Sequence, residues 1–181
     1  MPQTKLILGN ALKKLVYEKP FDKISITDIT DSCQLNRQTF YYHFQDKYEC
    51  LEYVYRHDCL DPLIKKINWE NWYECIEEML LVMKNDSEFY TRTIYASPKS
   101  FIEPFFETTK SLFKLAIHRM DVEDRVKDDE EEFMSEFLTQ GVIGIITSWV
   151  SKGMKTPPEE LAERLRKMTI DMGKLNRQRS L

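Results

Sequence analysis

At 181 residues, with 42% hydrophobic and 31% charged side chains, the chain has the make-up of one compact body or a small domain joined to a larger one, and a disordered chain is excluded. Five glycines and seven prolines leave few tight turns and point to long helices. The net charge of −4 argues against a polyanionic partner, but it is unevenly spread: residues 1–48 hold seven Lys and Arg against five Asp and Glu, a balance of +2, and the other 133 residues stand at −6.

Leu6, Leu8, Ala11, Leu12, Leu15 and Val16 recur at helical spacing, so a first helix is expected from a Thr4 cap to just before Pro20. Its longest apolar run, Leu6-Ile7-Leu8, is too short for a secretion signal or a membrane span, and the cytoplasm is the expected location. Ser25 opens a second helix to about Cys33, with Asp28 in capping-box position. Asn36 caps a third at Arg37 to Phe44, and Asp46 followed by Glu49 starts a fourth. Two short helices divided by Gln34-Leu35-Asn36 have the length and break of a helix-turn-helix.

Asp61-Pro62 and Asn68 break the chain again, and a helix carrying Trp72, Ile76, Met79, Leu80 and Met83 on one side follows. After Asn85-Asp86 come a short helix, Phe89 to Tyr95, and a longer one, Pro98 to Met120, with Pro104 near its first turn. The acidic stretch Asp121 to Glu132 reads as a connector and a solvated helix start. Phe133 to Met154 is apolar on several sides, and Pro157-Pro158 opens a last helix from Glu159 to about Leu175, with a frayed tail beyond it. The fold class is therefore all-α, with about nine helices: a three-helix helix-turn-helix domain over residues 1–48 and a helical bundle over residues 49–181.

Enzyme chemistry finds no support. The five glycines form neither a dinucleotide fingerprint nor a phosphate loop, HExxH and GxSxG are missing, and the three histidines are scattered. Cys33, Cys50, Cys59 and Cys75 show no CxxC or zinc-finger spacing, so reduced thiols are expected, with no metal and no cofactor.

The segment ISITDITDSCQLNRQTFYYHFQDK, residues 24–47, resembles the DNA-binding motif of the TetR family of transcriptional regulators, including the apolar Ile26, Ile29 and Leu35, the Asn36 cap and the TFYYHFQDK cluster. RQTFYYHF, with Phe89, Tyr90, Arg92 and Ile94 downstream, resembles the dihydroxyacetone-kinase regulator branch of that family. One departure is Gln34, where the family often has glycine after the second helix. The turn must then accept a side chain, at positive φ if the backbone keeps its usual course.

Physical chemistry assigns roles within the same motif. A helix-turn-helix offers the N-terminal part of its second helix to the major groove, so Arg37 and Gln38 are the expected base readers, Arg suiting guanine and Gln adenine. Asn36, Thr39, Tyr41, Tyr42, His43 and Lys47 offer hydrogen-bonding groups to the DNA backbone. Phe40 and Phe44 should face inward.

The resemblance further implies a homodimer formed by the last two long helices and an effector site in the C-terminal domain. Gly141, Gly144, Ile145, Trp149, Leu161, Leu165, Met168 and Met172 are the expected interface, although packing within one subunit accounts for the same pattern. Trp72, Tyr90, Arg92, Tyr95, Phe105, His118 and Trp149 are candidate lining of an effector pocket, against the alternative that the aromatic side chains fill a solid core. Arg92 would favour an anionic or polyhydroxylated compound if it points inward. The expected partners are double-stranded DNA, a second copy of the chain, and a small-molecule or protein effector. Two other readings remain at this stage: a helical interaction protein whose acidic C-terminal domain docks a protein co-regulator, and a small-molecule-binding or catalytic bundle. Binding to random duplex DNA, salt-sensitive and followed by enrichment of an inverted repeat, separates them.

Overall fold

A computed structural model describes the backbone of residues 2–68, 70–120 and 126–179 and the side chains of residues 3–68, 70–118 and 126–169. It contains helices and no strand among those residues. Helix α1 (Pro2–Glu18) begins ahead of Thr4 and stops short of Pro20, and its Leu8, Leu12 and Val16 are fully buried. Each such side chain contributes about 1.5–3 kcal/mol by leaving water. A 3₁₀ turn (Phe21–Lys23) leads to α2 (Ile26–Ser32), whose start is a complete capping box: Asp28 N–H donates to Ser25 Oγ at 3.1 Å, and Ser25 N–H to Asp28 Oδ2 at 2.7 Å.

The end of α2 is a Schellman turn. Leu35 N–H reaches back to Thr30 O at 2.9 Å and Gln34 N–H to Asp31 O at 3.2 Å, with Gln34 at φ +57°. The glycine-free turn is thus realised with a glutamine in the left-handed region, where a Cβ is strained. Gln34→Gly is expected to raise stability by about 0.5–1 kcal/mol, read as a higher denaturant midpoint at unchanged slope. An unchanged or lower midpoint would count against strain at this turn.

Helix α3 (Arg37–His43) follows, then α4 (Lys47–Tyr55), capped by Asp46, which accepts from Tyr48 and Glu49 N–H at 2.8 and 2.9 Å. The break expected at Asp61-Pro62 does not occur. A π turn (Arg56–Leu60) instead carries α4 into α5 (Asp61–Ile64), with Asp61 N–H bonded five residues back to Arg56 O. In a regular helix the ring of Pro62 meets the carbonyl four residues earlier, and a widened turn relieves that clash.

Then come α6 (Trp72–Asn85), α7 (Ser87–Ala96), α8 (Pro98–Met120), α9 (Asp128–Ser151) and α10 (Pro158–Arg179). With α4 and α5 continuous, the described residues form nine helical rods, as the periodicity indicated. The last helix continues past Leu175 to Arg179, beyond the expected fraying point. Helix α1 packs on α2, α4 and α7, α4 also on α8, α8 on α9, and α6 on α10, so one core runs from Leu8 to Leu165.

Candidate nucleic-acid interface and interior cavity

Asn36 sets the geometry of α3. Its Oδ1 accepts from Thr39 N–H at 2.7 Å and Thr39 Oγ1 at 3.0 Å, which fixes the first turn and leaves Arg37 and Gln38 exposed at the N-terminal end. On the opposite face Phe40 and Phe44 are buried with ring centroids 5.7 Å apart, and this seats the helix on the core. The Arg37 guanidinium lies 5.9 Å from the Tyr41 ring and 3.4 Å from its hydroxyl, so the side chain is partly pre-ordered above the surface. Tyr42 is 83% exposed and stands edge-on to His43. Partial burial, then nearby positive charge including Lys5, holds His43 below its ordinary pKa, so it is neutral at physiological pH.

Lys47 is engaged differently from its assigned role. Its ammonium donates to the carbonyls of Phe21, Asp22 and Ile24 at 3.0, 3.1 and 3.0 Å and lies 4.8 Å from the Phe21 ring, closing the 3₁₀ turn. Burial lowers its pKa, against the opposing charges of Asp22 and Asp46. A donor saturated by three carbonyls is a structural clasp, and a phosphate would have to displace them. Lys47→Met is therefore expected to cost about 1–2 kcal/mol of stability, seen in denaturant unfolding. Lost DNA affinity with stability intact would restore the phosphate role.

The set expected at a dimer interface divides in two. Gly141, Gly144 and Ile145 lie on one exposed face of α9, with nothing within 4 Å of where a Cβ on either glycine would sit. Phe133 and Phe137, 70% and 60% exposed, extend that face, so α9 is not buried on several sides as its apolar content suggested: periodicity alone does not show which apolar face is covered within one chain. Met168 is exposed on α10. Trp149, Leu161 and Leu165, however, are buried in this chain's own core. Trp149 Nε1 donates to Thr156 O at 2.8 Å, and the two leucines lie on α10, which packs on α6. Met172 lies outside the described side chains.

The pocket set is also split. Trp72 and Phe105 line an interior cavity of about 50 Å³ between α5, α6, α8 and α9. Tyr90 is fully buried elsewhere, paired with the Cys59 thiol at 3.1 Å, and burial pushes that thiol up to about 12, which makes it inert. Arg92 turns away from the cavity and donates to the α1 carbonyls of Val16 and Tyr17 at 2.8 and 3.3 Å. Tyr95 is 87% exposed, His118 is exposed, and Trp149 is not part of the lining. Residues that sequence reasoning missed, Leu60, Leu63, Ile64 and Ile67, form one wall; their helical spacing was readable but masked by the Asp61-Pro62 break. Among the described residues no three His, Cys, Asp or Glu are placed to hold a metal, and no helix is long and apolar enough to cross a membrane.

Two seven-residue helices joined by a left-handed turn, the second capped so that its first residues face solvent, define a helix-turn-helix protein. Residues 9–54 match the family described as bacterial regulatory proteins, tetR family, and residues 70–171 match a transcriptional regulator C-terminal region. The chain belongs to the TetR family, a family of transcriptional regulators and not of enzymes. It is 22% identical over 154 residues, 83% of this chain and 81% of the relative, to the HTH-type dhaKLM operon transcriptional activator DhaS of Lactococcus lactis subsp. lactis strain IL1403. Solved structures with the same fold include the dihydroxyacetone kinase operon activator DhaS, with a TM-score of 0.71 at 21% identity over 97% of this chain and 98% of that one. Another is the Thermus thermophilus repressor FadR in complex with lauroyl-CoA, with a TM-score of 0.59 at 13% identity over 92% and 93%. A third is NalD, secondary repressor of the MexAB-OprM multidrug efflux pump in Pseudomonas aeruginosa, with a TM-score of 0.61 at 17% identity over 94% and 96%.

Proposed function

We propose that this regulator acts as a homodimer on an inverted-repeat operator, reading bases with Arg37 and Gln38 and controlled by an effector in its C-terminal part. The observation that carries this is the exposed, Asn36-capped start of α3 set against the buried Phe40 and Phe44. Thr39, Tyr41, Tyr42 and His43 are assigned to the sugar-phosphate backbone, residues 1–48 to DNA binding and residues 49–181 to dimerisation and control. Selection from random duplexes tests it: an inverted repeat with half-sites one helical turn or a multiple apart is expected, matching reading helices about 34–36 Å or a multiple apart. Recovery of no enriched sequence, or of salt-insensitive binding, would overturn it.

The dimer is assigned to the exposed face of α9, Phe133, Phe137, Gly141, Gly144 and Ile145, together with the exposed Met168 of α10. Bare glycine backbone lets a second helix approach closely, and an apolar stripe of this length on a surface calls for a partner. Ile145→Asp is expected to yield folded monomers in sedimentation, since Ile145 is exposed and its change leaves the core intact. A persisting dimer would place the interface elsewhere.

A further inference from the structure

The interior cavity is chemically one-sided. Among the described residues, no side chain lining it carries a charge. Two aromatic pairs belong to its wall, Trp72 with Phe113 at 6.2 Å between centroids and Phe101 with Phe105 at 4.5 Å. The only hydroxyls among its described lining residues are those of Thr108 and Thr109, neighbours on α8, and no hydrogen bond among the described residues engages either.

We propose that this cavity receives a small, uncharged aromatic molecule with a single hydrogen-bonding group, its ring against the two aromatic pairs and its polar group at Thr108 or Thr109. The inference rests on the reading of this chain as an effector-controlled regulator and specifies the effector's chemistry. A carboxylate or phosphate in the lining would be buried without a counter-charge, which is prohibitive. A polyhydroxylated compound would bring more hydroxyls than two threonines satisfy, each left unpaired at a cost. Arg92 is turned toward α1 and supplies no cation to the cavity.

Size sets a second condition. A void of about 150 Å³ holds benzene in an apolar core, and the cavity here is about 50 Å³, so a ring enters only as part of the wall moves outward. Ile64 and Ile67 are the wall residues at the end of the α4–α5 rod and in the chain just after it, and Ile64 is exposed on its outer side. Their displacement leaves α6, α8 and α9 in place.

The experiment is calorimetric titration of the full chain with indole, toluene, benzoate and glycerol, free of DNA. Indole and toluene are expected to bind with a negative heat-capacity change, and benzoate and glycerol to give no binding. The Thr108→Val, Thr109→Val double variant, which keeps side-chain shape, is expected to weaken indole about fivefold and leave toluene within about twofold. Leu112→Phe, placed in the lining, is expected to abolish both, with thermal unfolding confirming that each variant is folded. Benzoate or glycerol binding as well as indole, an equal effect of the valines on indole and toluene, or no heat from either ring at its solubility limit overturns the proposal. Binding with the expected variant pattern but no change in duplex DNA affinity upholds the ligand assignment and overturns effector control.

Discussion

Alanine at Arg37 or at Gln38 is expected to cost about 1–3 kcal/mol of discrimination between the selected operator and a single-base variant of it, roughly 5- to 150-fold per position. Both side chains project from the first turn of α3, the part of a recognition helix that reaches base edges, and neither has a structural task there. Arg37 leans on Tyr41, so part of its rotamer freedom is already spent before DNA arrives, and the loss at Arg37 should be the larger. Tyr42→Phe, at a fully displayed hydroxyl, should instead weaken all sequences alike and leave discrimination intact. Competition binding at one fixed salt concentration separates the two patterns. If Arg37→Ala and Gln38→Ala lower affinity uniformly, the base-reading assignment fails.

These assignments were open to reading because capping is local. Ser25 with Asp28, Asn36 and Asp46 each satisfy backbone N–H groups two or three residues on, and the first-turn positions follow from counting. What the pattern of residues did not disclose depends on partners far along the chain. Periodicity shows that a helix has an apolar face, not what covers it, and so Leu161 and Leu165 suited a partner subunit as well as they suit α6. Arg92 and Lys47 were placed by the sign of their charge. Their hydrogen bonds, to carbonyls 75 or 76 residues away for Arg92 and 23 to 26 residues away for Lys47, have no signature in spacing. The π turn escaped because Pro62 normally ends a helix, and here a widened turn carries the helix through it.

The tie between α1 and the C-terminal helices gives the other large expected effect. Lys13 sits between Asp58 of the π turn at 2.7 Å and Asp86 at the start of α7 at 2.9 Å, above the Phe89 ring. One turn further along α1, the Tyr17 hydroxyl donates to the same Asp86, and Arg92 closes the end of the helix. With Lys13 and Asp58 only 23% and 21% exposed, the pair is screened less than one on the open surface. Lys13→Met leaves the carboxylates of Asp58 and Asp86, from the π turn and the start of α7, without the cation that bridges them, and a loss of about 2–3 kcal/mol is expected. The contact joins α1, which packs on α2, to the π turn, whose Leu60 lines the cavity.

Its pH dependence has a definite sign. Burial works against the Lys13 charge, but the hydrogen bonds and charges of Asp58 and Asp86 outweigh it and raise the pKa; burial and then the bond to Asp86 push Tyr17 up to about 12. Both groups hold their protons more tightly folded than unfolded. The stability they contribute is therefore complete below about pH 10, where the unfolded tyrosine begins to titrate, and is lost as pH rises toward about 12. The gap in unfolding free energy between the wild type and Asp86→Asn should be constant from about pH 7 to 9 and shrink between about 10 and 12. Urea unfolding of both proteins across that range is the measurement. A gap that stays constant to pH 12, or one already closing near neutrality, would show that Asp86 does not govern these protons and that the α1–α7 tie rests on packing alone.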